Sequence, residues 1–518
     1  MQLPARNTSP PDASERAEEP LRASDNMSIG SESYAITRLV FQRGLGLIFL
    51  VAFLNAVNQF KPLLGERGLL PVPLFVKRIP FSASPSLFFF FPTDRVFAIC
   101  AWLGVFLSCL VITGISERFS SWFSMLVWAA LWVVYISFVN VGQTFYGFGW
   151  ESILLEACVY AAFLGSRSAA PQTVVIWMLR WLLFRVMFGA GLIKLRGDPC
   201  WRDLTCLDYH YETQPMPNPL SWFFHWAPQW THKGGVLVNH FAELIVPFGY
   251  FLPQPISSIA GVITIAFQGL IFASGNLSWL NVLTAVLGIS ALDDRFLSAL
   301  LPITPSAMHK PALAFRLAVW ALAALVVILS IQPIRNLLSP RQVMNTVYNR
   351  FHFVGTYGAF GSITRPRYEV VVEGTGDDVI TPSTNWREYE FKGKPGDLRR
   401  VPPQIAPYHL RLDWLMWFAG FSSYSQHPWF VHFLGKLLEG DAAVIGLLRS
   451  NPFPDKPPRY VRAQLYEYHF TTPQERAATG EWWKRNFVEI YFPVVSLQHP
   501  GFRAVLEGQG WMEREYAH

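Results

Sequence analysis

Charge is scarce in this sequence. Asp, Glu, Lys and Arg make up 15% of its 518 residues, against roughly a quarter in an average soluble domain. With 51% hydrophobic residues, a wholly water-soluble chain is excluded. Cysteine is scarce as well. There are five, with no CxxC pair and no Cys/His spacing of a zinc site, so neither a redox motif nor a metal site is expected. GxSxG, Walker A, HExxH and dinucleotide-binding patterns are all missing, and no cofactor is expected. No basic cluster alternates with aromatics in a nucleic-acid module. The net charge of +6 suits loops flanking a membrane, and nucleic acid is not an expected partner. The first 36 residues lack any apolar h-region, so they read as a disordered tail and not a cleaved signal peptide.

What is abundant is apolar sequence in long runs. Leu39–Val57, Val96–Thr113, Phe119–Val141, Thr173–Leu195, Gly235–Leu252, Ile256–Gly275 and Leu313–Ile331 each approach the ~20 residues that span a hydrocarbon core. Trp150–Gly165 and Asn276–Leu292 are shorter. The expectation is a membrane α-helical bundle of about nine transmembrane helices over 37–332, with a large outer loop at 196–234. Beyond 332 the hydropathy falls. Tyr368–Glu373, Tyr389–Lys392, Tyr460–Phe470 and Phe487–Phe492 alternate like half-buried strands, while Leu410–Phe421 and Trp429–Leu448 read as helices. Residues 333–518 are therefore expected to form a soluble, β-rich α+β domain. The positive-inside count is nearly tied. The long loops and the C-terminal domain fall on one side, placed outside the cytosol, with the N-terminal tail cytosolic.

Ionisable groups in a membrane are costly unless paired or hydrated. Here they collect at one depth. Glu151 and Glu156 begin the fourth run, Lys194 ends the fifth, and His240 and Glu243, three apart on one helix face, begin the sixth. Together they predict a polar hollow in the outer half of the bundle. Its members either line a site or serve as interfacial and structural pairs. Arg180 and Arg185 lie deeper and need carbonyl, carboxylate or lipid-phosphate partners. Cys200 and Cys206 flank a short polar segment of the large loop. A local disulfide is expected if that loop faces an oxidising space.

The segment Gly189–Cys206, GAGLIKLRGDPCWRDLTC, runs on into LDYHYETQPMPNP. It closely resembles the signature of the lipase maturation factor family. Thr356–Thr364, Trp386–Lys392, Arg411–Phe418, His427-Pro428-Trp429 and Asn451-Pro452-Phe453 extend the resemblance over nearly all the chain after residue 36. The resemblance implies a protein of the endoplasmic reticulum membrane in a eukaryote, or of the inner membrane in a bacterium. It implies a chaperone-like role in folding and assembly of secreted clients such as lipases, with the C-terminal domain lumenal or periplasmic and membrane lipids as further partners. A shorter stretch, Ala190–Leu195 with Asp198 and Trp201, is similar to a motif of vitamin K-dependent γ-carboxylases, in which a lysine serves as base. That implies the alternative, a membrane enzyme acting on a lipid or quinone-like substrate with Lys194 as base. The two readings differ in what they require. An enzyme needs a pocket around Lys194 with a hydrophobic entrance from the bilayer. A folding factor needs an apolar patch on the outer domain.

Overall fold

The computed structural model describes residues 33–303 and 308–511. The tail expected at 1–36 lies outside the described residues as far as residue 32. The main helices of the first part are α1 (Ala35–Leu64), α2 (Asp94–Ile112), α3 (Ser121–Val141), α4 (Gly149–Ala162), α5 (Thr173–Arg196), α6 (Leu207–Thr213), α7 (Gln229–His240), α8 (Ile256–Ser274), α9 (Leu280–Gly288) and the rod α10 (Leu313–Leu338). Six of them, α1, α2, α3, α5, α8 and α10, are long and apolar enough to cross a membrane. The chain is an integral membrane protein.

Among the described residues the count of long spans is six, where about nine were expected. The other three runs form shorter helices. At 1.5 Å per residue, α4 with its 14 residues reaches about 21 Å, short of a ~30 Å hydrocarbon core. The run Gly235–Leu252 is divided: α7 gives way to a π-helical turn, Phe241–Ile245, then one last turn, Val246–Gly249. The third run yields α9 and a 3₁₀ turn, Ile289–Ala291. The last span also runs past the expected boundary at 332, to Leu338. There Asn336 donates to the Val343 carbonyl and to Thr356 Oγ1, both at 3.0 Å.

The start of α1 shows how remote residues complete a helix. Its first N–H groups have no intrahelical acceptor. The Asp294 carboxylate takes them, at 2.7 Å from Ala35 N and 2.8 Å from Ile36 N. A negative charge there also complements the helix dipole.

The second part contains a two-stranded ladder, β1 (Thr346–Val347) with β2 (Gly355–Thr356). It also contains an antiparallel four-stranded sheet of β3 (Arg367–Thr375), β4 (Arg387–Glu388), β5 (Tyr460–Phe470) and β6 (Trp483–Val495), in the order β4-β3-β5-β6. The run Tyr389–Lys392 is a correction: pairing with β3 stops at Glu388, and only the Tyr389 N–H still reaches a β3 carbonyl, that of Val372. Between β4 and β5 come α11 (Arg411–Ala419) and α12 (Pro428–Glu439). Phe430, Phe433 and Leu437 of α12 recur at helical spacing and are fully buried, which gives the sheet a covered face. At the other edge β6 pairs only with β5, and Phe487, Val488 and Ile490 stand exposed.

The two parts interlock. Arg411 reaches from the start of α11 into the helical bundle. There it donates to Asn55 Oδ1 (2.8 Å) and the Phe145 carbonyl (2.7 Å) and forms an ion pair with Glu151 at 2.8 Å. Arg367 of β3 donates to the carbonyls of Glu212 and Pro215 in the large loop. The loop answers with Trp222 and Trp226, whose indole N–H groups both donate to the Thr471 carbonyl.

Candidate functional site

Lys194 sits in the last turn of α5 and is 4% exposed. Its Nζ donates to Glu243 Oε1 (2.6 Å), Glu243 Oε2 (2.8 Å) and Asn239 Oδ1 (2.8 Å), and lies 4.9 Å from the centre of the Trp201 ring. Three acceptors fill the three donor positions of an ammonium group. The π-helical turn carries Glu243, and Asn239 lies four residues before it. Asn239 Nδ2 in turn donates to Glu243 Oε2 at 3.1 Å. Gly191 makes the approach possible. A Cβ there would come within 2.7 Å of the Leu244 side chain, so α5 could not pack this closely against the π turn with any larger residue.

The segment after Lys194 is held by a second loop. Asp198 donates its N–H to the Gly361 carbonyl at 2.8 Å. Its carboxylate accepts from Cys200 N (3.0 Å) and from both terminal nitrogens of Arg365 (2.7 and 3.1 Å). The Arg365 guanidinium holds that carboxyl down to about 2. Trp201 donates through Nε1 to the Phe360 carbonyl at 2.9 Å. Cβ atoms on Gly189 or Gly197 would collide with the carbonyl oxygens of Tyr357 or Gly361. The glycines of GAGLIKLRGD therefore let the loop Tyr357–Gly361 lie directly on α5. Cys200 and Cys206 face each other with Cα atoms 4.8 Å apart, inside the range a disulfide spans.

The five acidic and basic residues expected in one hollow are divided among four places. Lys194 and Glu243 meet as described. Glu151 is fully buried beside Arg411, with Tyr135 donating to it. Glu156 pairs with Arg185 and accepts from Tyr160 (2.6 Å), Tyr357 (2.7 Å) and the Gly355 N–H (3.2 Å). His240 turns away from Glu243, its Nε2 2.9 Å from the Trp201 carbonyl. Of the five, the structure brings Lys194 and Glu243 together and sets the other three apart. Each carboxylate is ion-paired with an arginine or lysine, and for Glu151 that cation comes from the soluble part. Arg180 finds the carbonyls of Ser290 and Tyr250 and the Tyr34 hydroxyl. A lipid phosphate is not needed for either deep arginine.

Beside the Lys194–Glu243 pair lies a cavity of about 820 Å³. Its walls come from α4, α5, α7, α8 and α9, from α6 in the large loop, from the loop 357–362 and from α11. Apolar side chains dominate, among them Ile153, Val186, Phe267 and Leu277. His210 of α6 lines it too, and burial with the nearby Lys194 charge pushes its imidazole down to about 4. Glu151, Glu156 and His240 do not line it. Among the described residues no group of three or more His, Cys, Asp or Glu is placed to hold a metal ion.

With this geometry in view, two family models match the chain. One described as the lipase maturation factor transmembrane domain covers residues 36–299, and one described as the lipase maturation factor C-terminal domain covers residues 353–493. The chain belongs to the lipase maturation factor family. It is 43% identical to lipase maturation factor 1 of Homo sapiens, over 92% of this chain and 91% of that protein. It is 42% identical to lipase maturation factor 1 of Mus musculus, over 90% and 88%. Human lipase maturation factor 2 is 29% identical over 92% of this chain and 85% of its own. No solved structure matches.

In this lipase maturation factor homologue, several residues of the site escaped the sequence reading. Asn239 was detectable as a polar residue one turn before Glu243. Trp201 was visible only within the motif. His210, Trp150 and Trp414 lay in segments the sequence singled out, but only tertiary packing brings them to one cavity. His409, between Glu151 and Arg411, was missed as well. It is completely buried, with Trp150, Trp279 and Trp414 ring centres 5.2–5.7 Å away. Burial pushes its imidazole far below the usual histidine range.

Proposed function

We propose that this protein is a membrane-bound lipase maturation factor that assists secreted lipases to fold and assemble. The observation that carries the reading is 43% identity to a named lipase maturation factor along 92% of the chain, which extends through both the membrane part and the sheet. The fold supports it. The soluble part is anchored to the bundle through Arg411 and Arg367, and its free edge carries Phe487, Val488 and Ile490. An exposed apolar edge strand can pair with an extended, incompletely folded segment. We place the client contact there. The Nζ of Lys194 already donates to three acceptors, so the reading of Lys194 as a catalytic base draws no support from its surroundings.

We further infer nine membrane passes, the three short helices crossing within the bundle. The ends of α1 and α3, the start of α4 and the segment after α8 all meet the soluble part. Their contacts there are the His409 carbonyl, the Arg350 carbonyl, Arg411 and the Pro403 carbonyl. The start of α1 meets Asp294 instead. On this reading residues 37–332 are the membrane domain and 333–518 the soluble one. The soluble domain and the loop 196–234 face the lumen of the endoplasmic reticulum, where a Cys200–Cys206 disulfide forms, and the tail is cytosolic.

The test is complementation. Cells lacking lipase maturation activity are made to express this chain, and secreted lipase activity is measured per unit of lipase protein. Activity should rise, and F487S/I490S, which leaves the buried face untouched, should lower the gain. No gain from a correctly inserted chain defeats the proposal.

A further inference from the structure

We infer that the cavity beside Lys194 binds an uncharged lipid whose head carries ester or carbonyl oxygens, a lipid of the diacylglycerol class. Its volume of about 820 Å³ lies within the roughly 300–1,000 Å³ of small-molecule sites. Access is from the bilayer. Leu270 of α8 lines the cavity and is also 48% exposed on the outside of a membrane-spanning helix, with the half-buried Ile271 beside it.

The polar groups in the wall define the head. Trp150 and Trp414 both line the cavity with ring centres 5.0 Å apart, and they are 7% and 4% exposed. Neither indole Nε1 has an acceptor among the described residues. An indole N–H can only donate, and a buried donor without a partner is costly. Two unpartnered donors among the lining residues suit a ligand with acceptor oxygens. Asn281, 2% exposed, also lines the cavity, and its Oδ1 has no donor while its Nδ2 is occupied by Gln268. That oxygen suits a hydroxyl. Fully charged groups in the wall cancel, because Lys194 and Glu243 are already paired. His232 is 2.8 Å from Asp208, and His427 from Ser422. A phosphate or carboxylate head would face Glu243, and an ammonium head would face Lys194. An uncharged head meets neither penalty.

The experiment uses the full chain purified in detergent and radiolabelled 1,2-dioleoylglycerol. Cholesterol, dioleoyl phosphatidic acid and sphingosine serve as competitors. Saturable binding near one lipid per chain is expected, displaced by unlabelled dioleoylglycerol and not by the three others. Ile271→Trp, which fills the mouth, should abolish binding. Trp414→Phe keeps an aromatic ring, though a smaller one, and removes the donor, and should weaken binding roughly three- to ten-fold. Thermal unfolding of each variant is followed in parallel. If I271W does not fold, Thr284→Ile narrows the opposite wall to the same end. Absence of saturable binding, equal binding by the variants, or equal competition by phosphatidic acid or cholesterol overturns the assignment. Lipase secretion is scored separately, so loss of the lipid site leaves the maturation reading standing or falling on its own assay.

Discussion

Replacing Lys194 with Met removes one charge and almost no volume, and its consequence follows from the surroundings. The side chains of Lys194 and Glu243 are each 5% exposed. Glu243 accepts two hydrogen bonds from the lysine and one from Asn239 Nδ2 at 3.1 Å. Hydrogen bonds to charged groups contribute about 1.5–3 kcal/mol each, and removing one member of a buried pair costs about 3–5 kcal/mol. Both routes place the loss for K194M near 3–5 kcal/mol, most of it from the carboxylate left behind. Lys194→Met with Glu243→Leu takes away both charges and should recover most of that loss, since an apolar replacement of a buried pair is often close to neutral. The assay is thermal unfolding of the full chain in detergent, followed by tryptophan fluorescence and by retention on size exclusion. The expected order of stability is wild type and the double variant above K194M and E243L. Two results would refute the reasoning. K194M could unfold with wild type yet abolish lipase maturation, as a reactive lysine requires. Or the double variant could be no more stable than the singles, which would mean the two groups are not coupled.

Three further outcomes are expected. Cys200→Ala with Cys206→Ala should lower stability by about 2 kcal/mol if the pair is bridged, the loop-entropy estimate for so short a ring; unchanged melting with and without reductant would dismiss the bridge. His469 is raised above its ordinary value by its hydrogen bond to Glu212, 3.1 Å away, with Glu467 and His225 also facing it. A raised value means its stabilisation is complete below about pH 6.5 and is lost as pH rises through the folded-state value. Hydrogen exchange in α6 should therefore slow between pH 8 and pH 6 more in wild type than in His469→Gln, and identical profiles would contradict this. Gly189→Val should separate the loop Tyr357–Gly361 from α5, because its Cβ would collide with the Tyr357 carbonyl. Proteolysis within that loop should become faster, and an unchanged rate would show that the contact gives way without consequence.

Much of this protein is determined by the sequence alone. Apolar runs near 20 residues can satisfy their backbone only as helices in a membrane, so Leu39–Val57 or Ile256–Gly275 needed no tertiary information. Alternation over Tyr460–Phe470 likewise marked β5, because a strand with one buried face repeats every second residue. The motif GAGLIKLRGDPCW was legible as a family signature, and Lys194 within it as a charge that needs a partner. The tertiary structure decided which partner. Glu243 was chosen over Glu151 and Glu156 because a π turn and Gly191 bring it onto the lysine, while Arg411 and Arg185 claim the other two carboxylates. Periodicity reports which face of a helix is buried, not which distant cation will meet it. The sequence suggested a hollow at Lys194 and Glu243, but not its apolar walls, since Trp150, His210 and Trp414 come from three separate elements. A void is what packing leaves between elements, and no local pattern encodes it.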